Sequence, residues 1–446
     1  MELRDFIVTP IWLFIIYGVA YWVRPRFTDE NTRRYFIPAL TVRIIGALAV
    51  GFIYQFYYGG GDTFTYHTRG SAVIWQAFMD NPTNGFKLLF AGKELKPELY
   101  PYTKQMWFYG DLSSYFVVRV AAIFDLITFR TYSATATMFA CISFSGAWAM
   151  YTVFYQRFKN LNKQLAYSIL FVPSVFFWGS GILKDTLTLA ALGWSTYTFD
   201  QIFNKRKFNM FYLFIFLLFL WTLFSIKKYI LLCFAPALIM WLYVSNLTSI
   251  KNTVLKVLIA PLISIIAILF AYLAIDKVGE NDPRYAIENL AETVQITAYD
   301  IRYGWGARYG EGSGYTLGEL DGTFYSMLKL MPDAINVSLF RPYLWEVSNP
   351  LMLLAALESL AVLILTIIVL IRTRVVGVFK PMPIPIVIFC LVFSIVFAFA
   401  VGVSTFNFGT LMRYKIPLMP YFLSALILLY YNSNRERKFD LLEETE

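Results

Sequence analysis

Apolar residues along this chain fall in long, nearly unbroken runs, not at the spacing of a one-sided helix or strand. Runs close to the roughly 20 residues that a bilayer's hydrocarbon layer requires predict membrane-spanning helices. They occupy about eleven stretches: 6–23, 37–57, 132–155, 165–178, 186–203, 208–226, 229–245, 254–275, 351–371, 384–401 and 414–431. The pattern predicts an all-α polytopic membrane protein of about eleven transmembrane helices, with residues 1–446 forming a single integral membrane domain.

One pair of runs stands apart. Stretches 165–178 and 186–203 are short, and Pro173, Gly179, Ser180 and Gly181 interrupt them, followed at once by Lys184 and Asp185. The expectation is a re-entrant-like hairpin that breaks at 179–185 on a membrane surface and presents both charges there. Charge in such a place is expensive and commonly lines a cavity or serves a function.

Basic residues fix the expected topology. With eleven spans, one side collects Arg24, Arg26, Arg33, Arg34, Arg157, Lys159, Lys163, Lys205–Lys207, Lys251, Arg372, Arg374, Lys380 and the tail with Arg435, Arg437 and Lys438. The positive-inside rule makes that side cytoplasmic, with the N-terminus outside and the C-terminus inside. The first residues lack the basic start and cleavage site of a signal peptide, so the first run is expected to be a retained span. Residues 112–129 are mostly apolar but carry Arg119 and Asp125. A crossing there would invert every later loop, so this segment is expected to be an interfacial or re-entrant helix on the outside, with a twelfth span as the alternative. Two large ordered outer loops, about 58–131 and 276–350, then carry short interfacial helices.

Composition changes the picture little. Charged residues are 15% and hydrophobic residues 58% of 446, and a soluble domain would hold roughly 25% charged residues. The net charge of +9 sits mainly in short loops, where it sets topology, so no nucleic-acid partner is expected. The three cysteines lie in apolar runs, and the lone histidine, His67, excludes a multi-histidine metal centre. No cofactor is implied; a divalent metal is compatible with the sequence but not indicated by it.

Candidate chemistry gathers on the expected outer face. GGGDTFTY at 59–66 lets the backbone turn sharply and sets Asp62 at a membrane edge, where a carboxylate can act as a general base toward a sugar hydroxyl. His67 and Arg69 follow closely. Lys184 and Asp185 stand at the hairpin break, where a helix start and an ammonium suit an anion. Lys228 lies in a short outer turn. LFRPYLWEVSN at 339–349 supplies Arg341, Trp345 and Glu346; its aromatic rings suit a sugar face. Arg413 and Lys415 stand at the outer mouth of the last run, and a guanidinium there suits phosphate. Each group has a plainer reading as a helix cap, a local ion pair or a snorkelling side chain.

Together, the outer Asp after an early span, the PSVFFWGSGILKD hairpin (173–185) and the late RYKIPLMP segment (413–420) resemble bacterial membrane proteins of polysaccharide assembly. These are the polysaccharide polymerase-like proteins and, more broadly, glycosyltransferases of the C-type fold. The resemblance covers most of the chain in layout and is specific at the hairpin and the last span. It implies transfer of glycan from an undecaprenyl (pyro)phosphate-linked donor to a glycan acceptor, on the periplasmic face of the bacterial inner membrane. It also implies that Asp62 is the base, and that Lys184, Arg341 and Arg413 hold the lipid phosphate. In many C-type transferases the Asp follows the first span, whereas here it follows the second, which tilts the likeness toward the polymerases. The alternative is a transporter or flippase for a lipid-linked or anionic substrate, which predicts charge distributed through the membrane midplane.

Overall fold

In a computed structural model of the chain, the described residues are 2–247 apart from 93 and 95, scattered positions in 292–321, then 323–373 and 384–443, the last ten by backbone alone. Those residues are almost wholly helical and divide into two compact units, Met1–Lys228 and Tyr229–Glu446.

Among the described residues, six helices are long and apolar enough to cross a membrane, or seven when a pair bent by 67° counts as one span. The difference from eleven has local causes. Pro173 splits the expected span 165–178 into helices of 9 and 6 residues. The runs at 186–203 and 208–226 give helices of 16 and 17 residues. The last run is the bent pair, and 254–275 lies outside the described residues.

In the first unit the helices are α1 (Asp5–Phe27), α2 (Arg33–Phe52), α3 (Asp62–Tyr66), α4 (Ala72–Asp80), α5 (Pro82–Leu89), α6 (Tyr100–Thr103), α7 (Leu112–Thr128), α8 (Tyr132–Arg157), α9 (Asn162–Leu170), α10 (Pro173–Trp178), α11 (Lys184–Phe199) and α12 (Met210–Ile226). Helices α8 and α11 run parallel at its centre. They approach so closely that a side chain on Gly193 would strike the backbone of Gly146, and one on Gly146 would strike Ala190. Small residues permit such backbone approach where lipid gives helices no hydrophobic drive to associate. Helix α2 runs antiparallel to α8, with Phe36 edge-on to Phe144 and Trp148 near one end and Gly51 against Tyr132 at the other.

This packing sorts charge between two ends. One end gathers the basic loops: Arg34 donates to Asn162 (2.8 Å), Tyr155 donates to Asp29 (2.6 Å), and Asp200 pairs with Arg157 and, at 3.2 Å, with Lys205. The opposite end holds the starts of α1, α8 and α11 and the end of α12. Helix α7 has both ends there. The carboxylate of Asp111 caps its start and meets Lys184 of α11 (3.3 Å), while Asp125, near its other end, accepts from Thr135 of α8 (2.6 Å). So α7 has both its ends at one end of the unit and does not run from end to end.

The second unit contains α13 (Lys228–Asn246), α14 (Phe324–Lys329), α15 (Met331–Phe340), α16 (Pro350–Thr373), α17 (Pro385–Thr405), α18 (Phe408–Tyr414) and α19 (Met419–Glu443). An aromatic core of Phe234, Trp241, Phe389, Phe393 and Tyr421 joins α13, α17 and α19. Residues 313–315 are tied to 406–408 by backbone hydrogen bonds of 2.8 and 3.0 Å.

The α8–α11 crossing is testable. Gly193→Leu should lower the stability of the detergent-solubilised protein by about 1–3 kcal/mol or more, as overpacking a close contact does. A thermal unfolding midpoint equal to that of the native chain would show the crossing to be looser than described.

Candidate functional site

The hairpin break is built from the inside. Helix α10 starts at Pro173, whose fixed φ and missing N–H suit a first helical position, and ends at Trp178. Its terminal carbonyls need donors. Arg43, buried in α2, supplies them: its Nη1 donates to the Val175 carbonyl (3.1 Å) and the Gly179 carbonyl (3.4 Å), and to Ser143 Oγ of α8 (2.8 Å). Ser143 also donates to the Gly179 carbonyl, and Ser180 to the Phe176 carbonyl (2.6 Å). Gly179 through Leu183 are all buried. The sequence pattern put this break on a surface; in the folded unit it is packed inside, with its polar backbone satisfied by protein, the condition for irregular backbone at membrane depth.

The two charges after the break do not pair with each other. Asp185, fully buried in the first turn of α11, forms an ion pair with Lys227, also buried, at the end of α12. Lys184, with its side chain 19% exposed, reaches Ser113 Oγ (2.7 Å) and Asp111 Oδ2 (3.3 Å) at the start of α7. Burial alone would raise the Asp111 carboxyl. Hydrogen bonds from Ser114 and Ser113 and the charge of Lys184 outweigh it and hold that group at about 2. Asp62 lies within charge range of Lys184, as does Lys227. Four segments distant in sequence thus meet at one end of the first unit: the Gly-rich turn, the start of α7, the start of α11 and the end of α12.

The turn before Asp62 needs its glycines. Gly59, Gly60 and Gly61 have φ of 69°, 139° and 135°, a region that side chains rarely adopt. Gly61 also faces the Tyr54 ring at a distance a Cβ would not allow. Asp62 then opens α3, with Gly61 as the residue before it, so its carboxylate is not the cap.

The neighbouring candidates go elsewhere. His67 is buried, its Nε2 3.5 Å from Asp125 and its ring edge-on to Tyr132. Arg69 is exposed, its guanidinium 5.7 Å from the Trp107 ring centre. Lys228 lies 5.5 Å from the ring of Phe224.

The remaining candidates belong to the second unit and form a cluster of their own. The Arg341 side chain makes a two-pronged pair with Glu346, with Nε at 3.0 and 3.1 Å from its oxygens, and sits beside the rings of Phe408 and Tyr315. Lys415 is buried and donates to Ser359 Oγ (2.9 Å) and to the Arg341 carbonyl (3.1 Å), with Glu358 in charge range. Trp345 is 81% exposed and stacks on Tyr343, ring centres 4.7 Å apart. Arg413 is half-buried on α18. The sequence pattern thus picked out residues that meet, but the fork of Arg341 that it assigned to phosphate is engaged by Glu346.

Sequence reasoning missed Arg43, Asp111, Ser113 and Lys227 as parts of the break. A charged residue inside the apolar run 37–57 was a visible signal for Arg43. Lys227, next to Lys228 in the short outer turn, was marked as a basic residue on the unexpected side; nothing local marks Asp111 and Ser113, whose role depends on what they meet. Among the described residues no group of histidine, cysteine and carboxylate side chains is placed to hold a metal ion. No family model, no curated protein and no solved structure matches this chain.

Two outcomes follow. Asp185→Asn removes the carboxylate that the buried Lys227 faces, so stability should fall by about 3–5 kcal/mol. The double variant Asp185→Leu with Lys227→Met should recover most of that loss, and a double-mutant cycle by chemical denaturation checks it. As for Asp111, a depressed carboxyl stabilises fully above its ordinary value of 3.8 and loses the contribution as pH falls through about 2. Asp111→Asn should therefore flatten acid destabilisation in that window, read from unfolding midpoints across pH.

Proposed function

We propose that the chain is a membrane glycosyltransferase or polysaccharide polymerase. It transfers glycan from a polyprenyl (pyro)phosphate-linked donor to a glycan acceptor on the outer, periplasmic face of the bacterial inner membrane. In this reading the chain crosses about eleven times, with its N-terminus outside and its C-terminus in the cytoplasm. The observation that carries the proposal is the pairing of an accessible ammonium, Lys184, with a carboxylate in charge range, Asp62, at the end of the first unit opposite its basic loops. Cations at that end run against the positive-inside bias and call for a role. The resemblance of the hairpin and of the last span to polysaccharide-assembly proteins supports the same reading.

The chemistry is a displacement at the anomeric carbon. Asp62 accepts the proton of the acceptor hydroxyl. The acceptor oxygen forms the new glycosidic bond while the bond from the anomeric carbon to the phosphate oxygen breaks. Its electron pair leaves on the phosphate, and Lys184 offsets that charge. Lys184 exchanges Asp111, whose side chain is 48% exposed, for the phosphate. By itself, the second unit offers a like arrangement: Arg341 paired with Glu346, Lys415 donating to the Arg341 carbonyl, Arg413 on α18, and the exposed Trp345 ring, which suits a sugar.

Transport is the second reading, and Arg43 favours it as a charge deep in α2. Its guanidinium, however, is bonded to Ser143 and to the end of α10, which is a structural use.

The test is binding of undecaprenyl pyrophosphate to the purified protein across a salt series. Lys184→Ala should weaken binding about tenfold or more and reduce its salt dependence. Asp111→Asn, which removes the competing carboxylate, should strengthen it. Asp62→Asn should leave binding in place and abolish glycan transfer. Equal binding by all four proteins would overturn the assignment.

A further inference from the structure

At the starts of α1 and α8, with neither the break nor Lys184 in its wall, the first unit contains a cavity of about 370 Å³. We infer that this cavity is a binding site for a neutral, polyhydroxylated ligand, a sugar unit, with His67 as its buried recognition residue.

Two buried polar groups of its wall lack a hydrogen-bond partner, the ring nitrogens of His67 and Thr131 Oγ1; so does Oδ2 of Asp125, the neighbour of His67 outside the wall. His67 and Thr131 are in the cavity wall, and both are more than nine-tenths buried. Buried polar atoms are nearly always satisfied, so a set of orphans around one cavity points to something that fills it. The two wall groups combine a hydroxyl that donates or accepts and an imidazole that donates at one nitrogen and accepts at the other. Nε2 of His67 is turned to Asp125 at 3.5 Å, and Nδ1 is the nitrogen left for the ligand. A ligand with several hydroxyls matches a mixed set of this kind; a phosphate, which only accepts, does not.

The charges in the wall argue the same way. Arg4 is 3.6 Å from Glu2, and Asp5 accepts from the Ser133 N–H and hydroxyl and from the Glu2 N–H. Arg130 lies against the Trp75 ring, 5.6 Å from its centre. Two carboxylates and two guanidinium groups give no net charge to draw an anion. Phe64 and Tyr132, stacked on each other with ring centres 4.4 Å apart, add an aromatic wall, which suits the apolar face of a sugar. The volume is that of a small-molecule pocket. The glycine turn joins the two places: Gly59 and Gly60 line the cavity, and Asp62, two residues on, lies within charge range of Lys184. On the transferase reading the bound sugar is the acceptor, held so that its hydroxyl reaches Asp62; its binding does not require that reading.

Saturation-transfer NMR on the purified protein in detergent tests this, with the methyl β-glycosides of glucose, galactose and N-acetylglucosamine as probes and glucose 1-phosphate as the charged control. At least one neutral glycoside should receive saturation, and glucose 1-phosphate no more than that. His67→Phe keeps the ring against Tyr132 but removes both nitrogens, and should weaken the signal about fivefold or more. Ala72→Leu, which fills the cavity from another part of its wall, should do the same. Lys184→Ala should leave it intact, which separates this site from the lipid-phosphate assignment: either can fail while the other stands. No signal from any neutral glycoside, a stronger signal from glucose 1-phosphate, or retention of the signal in both cavity variants would overturn the inference.

Discussion

The guanidinium of Arg43 holds the first unit in its working shape. A helix that ends inside a protein leaves carbonyls without donors, and each such group at membrane depth is costly. Arg43 reaches from α2 to the end of α10 and to Ser143 of α8 with one nitrogen. Three helices are thereby fixed around the point where the chain stops, turns and restarts as α11. The position of Lys184 and Asp185 follows from that turn, and with it the two charge pairs that reach α7 and α12.

Those pairs divide the work by depth. Asp185 and Lys227 are both buried, and such a pair fixes register because neither member tolerates the loss of the other. Lys184 and Asp111 are partly wet, with the Asp111 side chain 48% exposed. A buried pair beside an exposed one gives a site whose frame stays put while one cation changes partner. The Gly-rich turn adds the carboxylate of Asp62 within charge range of Lys184, and its first two glycines also line the cavity.

Much of the fold was legible in the runs. The apolar stretches locate α1, α2, α8, α13, α16 and α17, because a bilayer imposes a length that composition alone can satisfy. At 112–129, Arg119 and Asp125 set the expectation of a segment that does not cross, and α7 has both its ends at one end of the unit. Less legible was the stretch 165–178. Its apolarity suggested one span, but Pro173 starts a new helix, and the pieces survive only because α2 and α8 supply their missing hydrogen bonds.

The sequence by itself determined the class of protein and the chemistry on offer: helices for a membrane, a Gly-Gly-Gly-Asp turn, a Lys-Asp step after a broken helix, and aromatic and basic residues at the ends of the runs. These are properties of single residues and near neighbours, which periodicity and local composition record. Only the tertiary structure decided the partners. It turned Lys184 toward Asp111 and Asp185 toward Lys227, buried the break that the pattern had placed on a surface, and set His67 against Asp125 beside a cavity. An ion pair or a cavity wall depends on which distant segments pack together. Packing is a property of the whole fold, so no stretch of sequence carries it alone.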